Sequence, residues 1–125
     1  MQVVVFEADG GLRSCCVNAV SGALAEATVP VGDLVVACSA CLLGPTVVLD
    51  PNASELSKAG HAELSVACAL HSGLVAACAL EGKIVPEDLD DATEAAAAGC
   101  EEVGKFLRAC LLRRMAQIGA CSDGL

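Results

Sequence analysis

The chain has 125 residues, of which 55% are hydrophobic and 18% charged, with a formal net charge of −9. This length fits one domain or part of a larger one, and this composition supports a packed core, so wholesale disorder is excluded. The acidic surface repels phosphate backbones, and the absence of Trp and Tyr removes stacking platforms, so an RNA binder that works alone is disfavoured.

The first part of the chain is predicted as a strand followed by a helix. Val3-Val4-Val5-Phe6 is short and β-branched, so residues 2–7 are predicted as a strand. Ser14 to Ala27 are predicted as a helix, which Pro30 ends. Residues at spacings of three and four form its expected buried face: Val17, Val20, Leu24 and Ala27.

Between this strand and helix lies the stretch ADGGLRSCCVNA, residues 8–19. Gly10 and Gly11 admit unusual backbone angles, and a helix that starts after them leaves free N–H groups at its first turn. Arg13 beside these groups makes an anion site plausible. The alternative is that Arg13 is a surface or capping arginine.

Four strands are predicted in the middle of the chain. Leu34 to Leu43 and Thr46 to Leu49 form a hairpin around Gly44-Pro45. The polar stretch DPNASELSKAG is a connection with room for one helical turn. Glu63 to Leu70 and Leu74 to Leu80 form a second hairpin around HSG.

The last predicted element is a long helix from Pro86 to about Gln117. Proline suits the first helical position, and acidic residues crowd the same end. The basic segment from Lys105 to Arg114 is interpreted as a helix C-terminus that complements its own dipole, with a contact to RNA or an acidic partner as the alternative. These elements predict an α+β fold with a four-stranded meander and two main helices, followed by a frayed tail at residues 121–125.

Nine cysteines are present, and the N-terminus lacks the basic region and long apolar core of a signal peptide. We therefore expect an intracellular protein with free thiols. The C-x-x-C motif from Cys38 to Cys41 falls in a predicted strand, where residues three apart face opposite sides, so buried thiols are expected and no metal site is predicted. No apolar run is long enough to suggest a membrane span.

Three stretches together resemble the C-terminal half of RNase PH-type proteins: ADGGLRSCCVNAVSGALAEATVPVGDLVVACSACL, TVVLDPNASE and VGKFLRACLLRR. The resemblance is strongest to the RNase PH-like ring subunits of the RNA exosome. Among these, the motifs are most similar to those of the ribosomal RNA-processing protein 46 type, with the messenger-RNA-transport type second. The resemblance implies that residues 1–120 form a partial RNase PH-like (ribosomal protein S5 domain 2-like) domain without the N-terminal half of the family fold.

Active members of this family are phosphorolytic 3′ exoribonucleases, in which inorganic phosphate attacks the terminal phosphodiester of RNA. The resemblance implies that Arg13 matches the arginine of a D-G-G-T-R turn, which helps to hold phosphate. Gly10 and Gly11 match the glycines of that turn and are candidate phosphate- or RNA-binding residues. Leu12 stands where the family has a threonine hydroxyl, which weakens the implied site.

The resemblance also implies one candidate catalytic carboxylate, Asp50. Active relatives carry two aspartates six positions apart after this strand, and Asp50 matches the first. The second falls on Leu56, which cannot bind a metal ion or accept a proton. Glu55 could compensate only by a shift of register. The alternative for Asp50 is a turn aspartate ahead of Pro51.

The function that the resemblance implies is that of a non-catalytic structural subunit of the exosome ring, which supports 3′–5′ RNA processing and degradation. The expected partners are other RNase PH-like ring subunits, RNA-binding cap subunits, and RNA through the assembled complex. The expected location is the nucleus, the nucleolus and the cytoplasm. One alternative is a phosphate-dependent 3′–5′ exoribonuclease with a degenerate or shared active site, and only this case calls for inorganic phosphate and Mg²⁺. The other is an α+β assembly domain unrelated to RNA.

Overall fold

The structure is a computed structural model that describes residues 1–123. Its elements follow in the order α1 (Leu12–Glu26), β1 (Val35–Leu43), β2 (Thr46–Leu49), α2 (Ala53–Lys58), β3 (Glu63–Ala69), β4 (Val75–Glu81) and α3 (Pro86–Asp123). The predicted α+β class and its two main helices are confirmed. Over this described range, no helix has the length and apolar character needed to cross a membrane.

The four strands form one antiparallel sheet in the order β2-β1-β3-β4. The two predicted hairpins are present, and β1 joins them because it pairs with both β2 and β3. Ala40 of β1 therefore lies between Leu49 on one side and Leu64 on the other. This order differs from a strict meander, since the connection through α2 brings β3 to the far side of β1 rather than beside β2.

Helix α3 covers one face of the sheet through a core of small and branched apolar side chains. Alternate residues of β1 point to this face, as strand geometry requires. The buried core consists of Val36, Cys38, Ala40, Leu64, Val66, Cys68, Ala92, Ala96 and Cys100. A Cβ added at Gly99 would lie 2.6 Å from Cys38 Sγ, so the Ala- and Gly-rich part of α3 lets the helix approach the sheet closely.

Helix α1 covers the opposite face of the sheet through polar side chains. Ser14 shares a 2.6 Å hydrogen bond with Ser39 of β1. Asn18 Nδ2 donates to the Ala37 carbonyl at 2.9 Å, and Asn18 Oδ1 accepts from the Ala37 N–H at 2.8 Å. Ser21 donates to the carbonyl of Val35. Because these residues are four and three positions apart, they form one stripe along α1.

The predicted buried face of α1 is wrong, since the docked stripe is polar. Val17, Val20 and Leu24 are only half-buried, and Ala27 is exposed. The three larger side chains instead line a cleft of about 380 Å³ beside residues 31–35. Apolar spacing located the helix correctly, but hydrogen bonds to β1 decided its rotation.

The predicted strand at residues 2–7 is also wrong, because residues 1–11 contain no strand. Val4 is 62% exposed and Phe6 is 98% exposed. A strand needs a hydrogen-bonded neighbour, and within residues 1–123 the sheet consists of the four strands above. The β-branched composition of this segment therefore does not suffice to form a strand.

Helix α3 continues past the predicted end at Gln117 to Asp123, and the remaining tail residues 124–125 lie outside the described residues. The last turn of α3 holds no basic residue, so the interpretation of the basic segment as a dipole-complementing C-terminus is wrong. Lys105 instead pairs with Glu102 at 2.8 Å, and Arg114 pairs with Glu26 of α1 at 2.8 Å.

Candidate functional site

The Gly10-Gly11 turn is pressed against the segment that follows β2. Gly10 has φ 80° and Gly11 has φ 60°, both in the left-handed region that favours glycine, and Gly11 is the N-cap of α1. A Cβ at Gly10 would collide with the carbonyl oxygen of Pro51, and one at Gly11 would lie 3.2 Å from Asp50 Oδ1. The structure therefore brings Gly10, Gly11 and Asp50 together.

Asp50 is an exposed turn residue at the end of β2, with φ 51°. Its backbone N–H donates to the Ser39 carbonyl at 2.8 Å. Asp9 lies on the other side of the turn, where its Oδ1 accepts from the Ala53 N–H at 3.1 Å, at the start of α2. Carboxylates thus flank the glycine pair from both neighbouring segments.

Arg13 lies in the first turn of α1 and forms an ion pair with Glu81. The Arg13 guanidinium nitrogen lies 2.6 Å from Glu81 Oε1, with the two side chains 52% and 64% exposed. The Gly11 N–H donates to Glu63 Oε1 at 3.0 Å. Two donors that an anion could use at this helix start, the Arg13 guanidinium and the Gly11 N–H, therefore already contact carboxylates of the chain. Arg13, Glu63 and Glu81 border a cleft of about 360 Å³ that Ser65 also lines.

Leu56 and Glu55 lie in the short helix α2. Glu55 and Asn52 form a capping box, in which Glu55 Oε2 accepts from the Asn52 N–H at 2.9 Å and Asn52 Oδ1 accepts from the Glu55 N–H at 2.9 Å. Leu56 is half-buried and carries no polar group. Glu55 is thus engaged in holding the start of α2. Across residues 1–123, no three carboxylate, thiol or imidazole groups are placed to hold a metal ion.

A buried row of three serines lies beneath the glycine turn and was not predicted from the sequence. Ser39 Oγ is 2.6 Å from Ser14 Oγ and 3.2 Å from Ser65 Oγ. Ser39 and Ser65 are register partners on β1 and β3, so their side chains lie side by side. Single serines within the apolar strands VVACSACLL and ELSVACA are the signal that could have indicated this row.

The two thiols of the C-x-x-C motif are both buried in β1. Burial, with a smaller effect of the Asp50 carboxylate, raises the pKa of the Cys38 thiol. Burial and the carboxylates of Glu55 and Glu63 raise the pKa of the Cys41 thiol. Both thiols are therefore held in their protonated, unreactive form.

Comparison with known proteins shows the same fold and the same family. Residues 33–99, more than half of the chain, match the 3′ exoribonuclease family, domain 2. The chain is similar to the exosome complex component RRP41 homolog of Arabidopsis thaliana, with 36% identity over 91% of this chain and 47% of that protein. It is 30% identical to Rrp41 of Archaeoglobus fulgidus over 97% of this chain and 48% of that protein. The chain thus spans about half the length of the curated relatives it matches.

Among solved structures, the crystal structure of rice (Oryza sativa) Rrp46 matches with a TM-score of 0.78 and 25% identity, covering 86% of this chain and 51% of that chain. An Archaeoglobus fulgidus exosome with RNA bound to the active site matches with a TM-score of 0.63 and 17% identity over 80% of this chain and 44% of that chain, which shows the fold alone. These relatives include both Rrp41 and Rrp46 proteins, so the predicted resemblance is confirmed for RNase PH-like exosome subunits as a group. The chain belongs to the 3′ exoribonuclease family and carries its second, RNase PH-like domain.

Proposed function

We propose that the chain is a structural, non-catalytic part of an exosome ring that supports 3′–5′ RNA processing and degradation. The observation that carries the non-catalytic role is the residue at the position of the second family aspartate, six positions after Asp50. Leu56 occupies that position, and the neighbouring Glu55 is committed to the capping box with Asn52. Asp50 alone, in an exposed turn, cannot share a metal ion or a proton with a matched partner.

The charge around the glycine turn supports the same role. Asp9 directly precedes the turn, and Asp50 lies beside Gly11. Glu63 accepts the Gly11 N–H, and Glu81 forms an ion pair with Arg13 in the first turn of α1. Like charges close to an anion destabilise its bound state, and a phosphate dianion would meet these carboxylates together with the guanidinium of Arg13. This arrangement disfavours the phosphate binding that phosphorolysis requires.

The proposed partners are other RNase PH-like ring subunits, with RNA-binding cap subunits and RNA joined through the assembled complex. The names of the curated relatives as exosome complex components support this assignment. Strand β4 supports it physically, because it lies at an edge of the described sheet with Val75 53% exposed and Leu80 42% exposed. An uncovered apolar edge favours contact with another protein. We place the protein in the nucleus, the nucleolus and the cytoplasm, where immunolocalisation should detect it.

The test is to purify the native complex through a tag on the C-terminus of the chain and to identify its members by mass spectrometry. We expect other RNase PH-like subunits in amounts equal to this chain. Recovery of the chain alone, or as a self-assembly, would overturn the ring assignment. Recovery with stable partners that are unrelated to RNA would favour the assembly-domain alternative.

A phosphate-dependent exoribonuclease is the second candidate, favoured by the position of Asp50 beside Gly11, two residues before Arg13. In that case inorganic phosphate would be the co-substrate, and Asp50 would contribute to a Mg²⁺ site with groups from a neighbouring subunit. The purified complex should be assayed for phosphate-dependent release of nucleoside diphosphates from RNA. Loss of that release in both Arg13→Ala and Asp50→Asn would establish this candidate, whereas a rate that neither substitution changes supports the structural role.

A further inference from the structure

We propose that Glu81 closes the anion site of the Gly10-Gly11 turn from within the chain, by occupying Arg13 in the place that a free phosphate would take. This inference goes beyond the proposed function, because it concerns one ion pair and holds whether or not the chain enters a ring. The Arg13 guanidinium nitrogen lies 2.6 Å from Glu81 Oε1, so the ion pair is also a charge-assisted hydrogen bond.

Glu63 completes the closure from the neighbouring strand. Glu63 and Glu81 are register partners on β3 and β4, so their side chains leave the same face of the sheet side by side. Two carboxylates directly opposite each other on antiparallel strands normally repel and destabilise the pair. Here one carboxylate contacts Arg13, and the other accepts the Gly11 N–H at 3.0 Å. Arg13 and the Gly11 N–H therefore offset the repulsion between the carboxylates of Glu63 and Glu81. Together, these two carboxylates occupy the donors that a bound phosphate dianion would use.

The stability of the Arg13–Glu81 ion pair is limited by its exposure to solvent. Because the Arg13 and Glu81 side chains are 52% and 64% exposed, the pair is screened by water and a competing anion can reach it. Removing the Glu81 charge should release Arg13 into the cleft that Leu12 and Cys16 line, and should lower the local negative potential. The wild-type chain should then bind inorganic phosphate weakly, and the chain without the Glu81 charge should bind it more tightly.

The test is a titration of the full-length, ¹⁵N-labelled chain with inorganic phosphate at constant ionic strength, followed through the amide signals of Gly11 and Leu12 and the side-chain Nε signal of Arg13. Glu81→Gln should raise phosphate affinity about fivefold, the scale expected for releasing an exposed ion pair. Glu102→Gln is the matched control, because it removes an equal charge from the Lys105 pair on α3, which covers the opposite face of the sheet. Its affinity should equal that of the wild type.

The double variant Arg13→Ala with Glu81→Gln should lose the gain, because the released guanidinium is the group that binds. Equal affinity in the wild type and Glu81→Gln would overturn the inference, as would equal gains in Glu81→Gln and Glu102→Gln, which would reflect net charge alone. Weaker binding in Glu81→Gln would also overturn it, since Glu81 would then position Arg13 for phosphate. If Glu81→Gln changes the amide spectrum as a whole, Glu81→Ala provides the same comparison at Arg13, and Glu63→Gln releases the Gly11 N–H instead. Ring membership is tested by purification of the complex, so the two proposals fail independently.

Discussion

Replacing Gly10 with alanine tests whether the candidate site depends on the close approach of the glycine turn to the segment after β2. The substitution adds one methyl group where the backbone has φ 80° and where the Pro51 carbonyl oxygen lies in the way. Gly44→Ala is the matched control, because Gly44 has φ 61° in the β1–β2 turn and nothing lies within 4 Å of its added Cβ.

The structure separates two costs of these substitutions. Left-handed backbone costs an L-residue about 1–2 kcal/mol, and both variants incur this cost. Overpacking against a neighbour that cannot move freely adds about 1–3 kcal/mol, and only Gly10→Ala incurs it. We therefore expect Gly10→Ala to lower the free energy of unfolding by about 2–5 kcal/mol, against about 1–2 kcal/mol for Gly44→Ala.

Urea unfolding followed by far-ultraviolet circular dichroism is the suitable assay, because the chain has no Trp or Tyr to report by fluorescence. The difference between the two variants is more informative than either value alone, since the shared backbone cost cancels. If both variants lose the same free energy of unfolding, the approach of Gly10 to Pro51 imposes no constraint, and the site is not built on it.

Three further predictions test the packing, the acid response and the thiols. Asn18→Ala should lower the free energy of unfolding by about 2–4 kcal/mol in urea titrations, because it leaves the N–H and the carbonyl of Ala37 in β1 without their partner. A loss below about 0.5 kcal/mol would contradict the docking role of the polar stripe. The pKa of Asp33 is lowered from 3.8, chiefly because its carboxylate accepts the His71 N–H, so it stabilises the fold above that pH and loses this effect as pH falls through the lowered pKa. Asp33→Asn should therefore flatten the acid limb of the stability profile, and an unchanged limb would contradict this reasoning. Burial raises the pKa of Cys100 to about 12, so mass spectrometry after mild alkylation should find exposed Cys78 modified and Cys100 protected until the chain unfolds, whereas equal labelling would contradict the core assignment.

Local patterns in the sequence predicted most of the elements, because each depends on residues close together in the chain. Pro86 and the acids after it located the start of α3, and the Gly44-Pro45 turn located the first hairpin. The Gly10-Gly11 pair correctly predicted left-handed backbone before a helix, since no other residue type adopts those angles as readily. The motif resemblance identified the family, and with it Arg13 as a residue of interest.

Contacts between distant segments decided what local patterns left open. The segment at residues 2–7 has strand composition but no described neighbour, and α1 turned its polar stripe to β1 because Asn18 satisfies two backbone groups there. Nothing near Arg13 in the chain indicated that it would form an ion pair with Glu81, 68 positions later. The sequence by itself therefore determined most of the elements, through spacing and turn chemistry, and the family, through its motifs. Only the tertiary structure decided whether the donors of the candidate site are open or already occupied, because hydrogen-bond partners far apart in the chain are chosen by the pairing of strands.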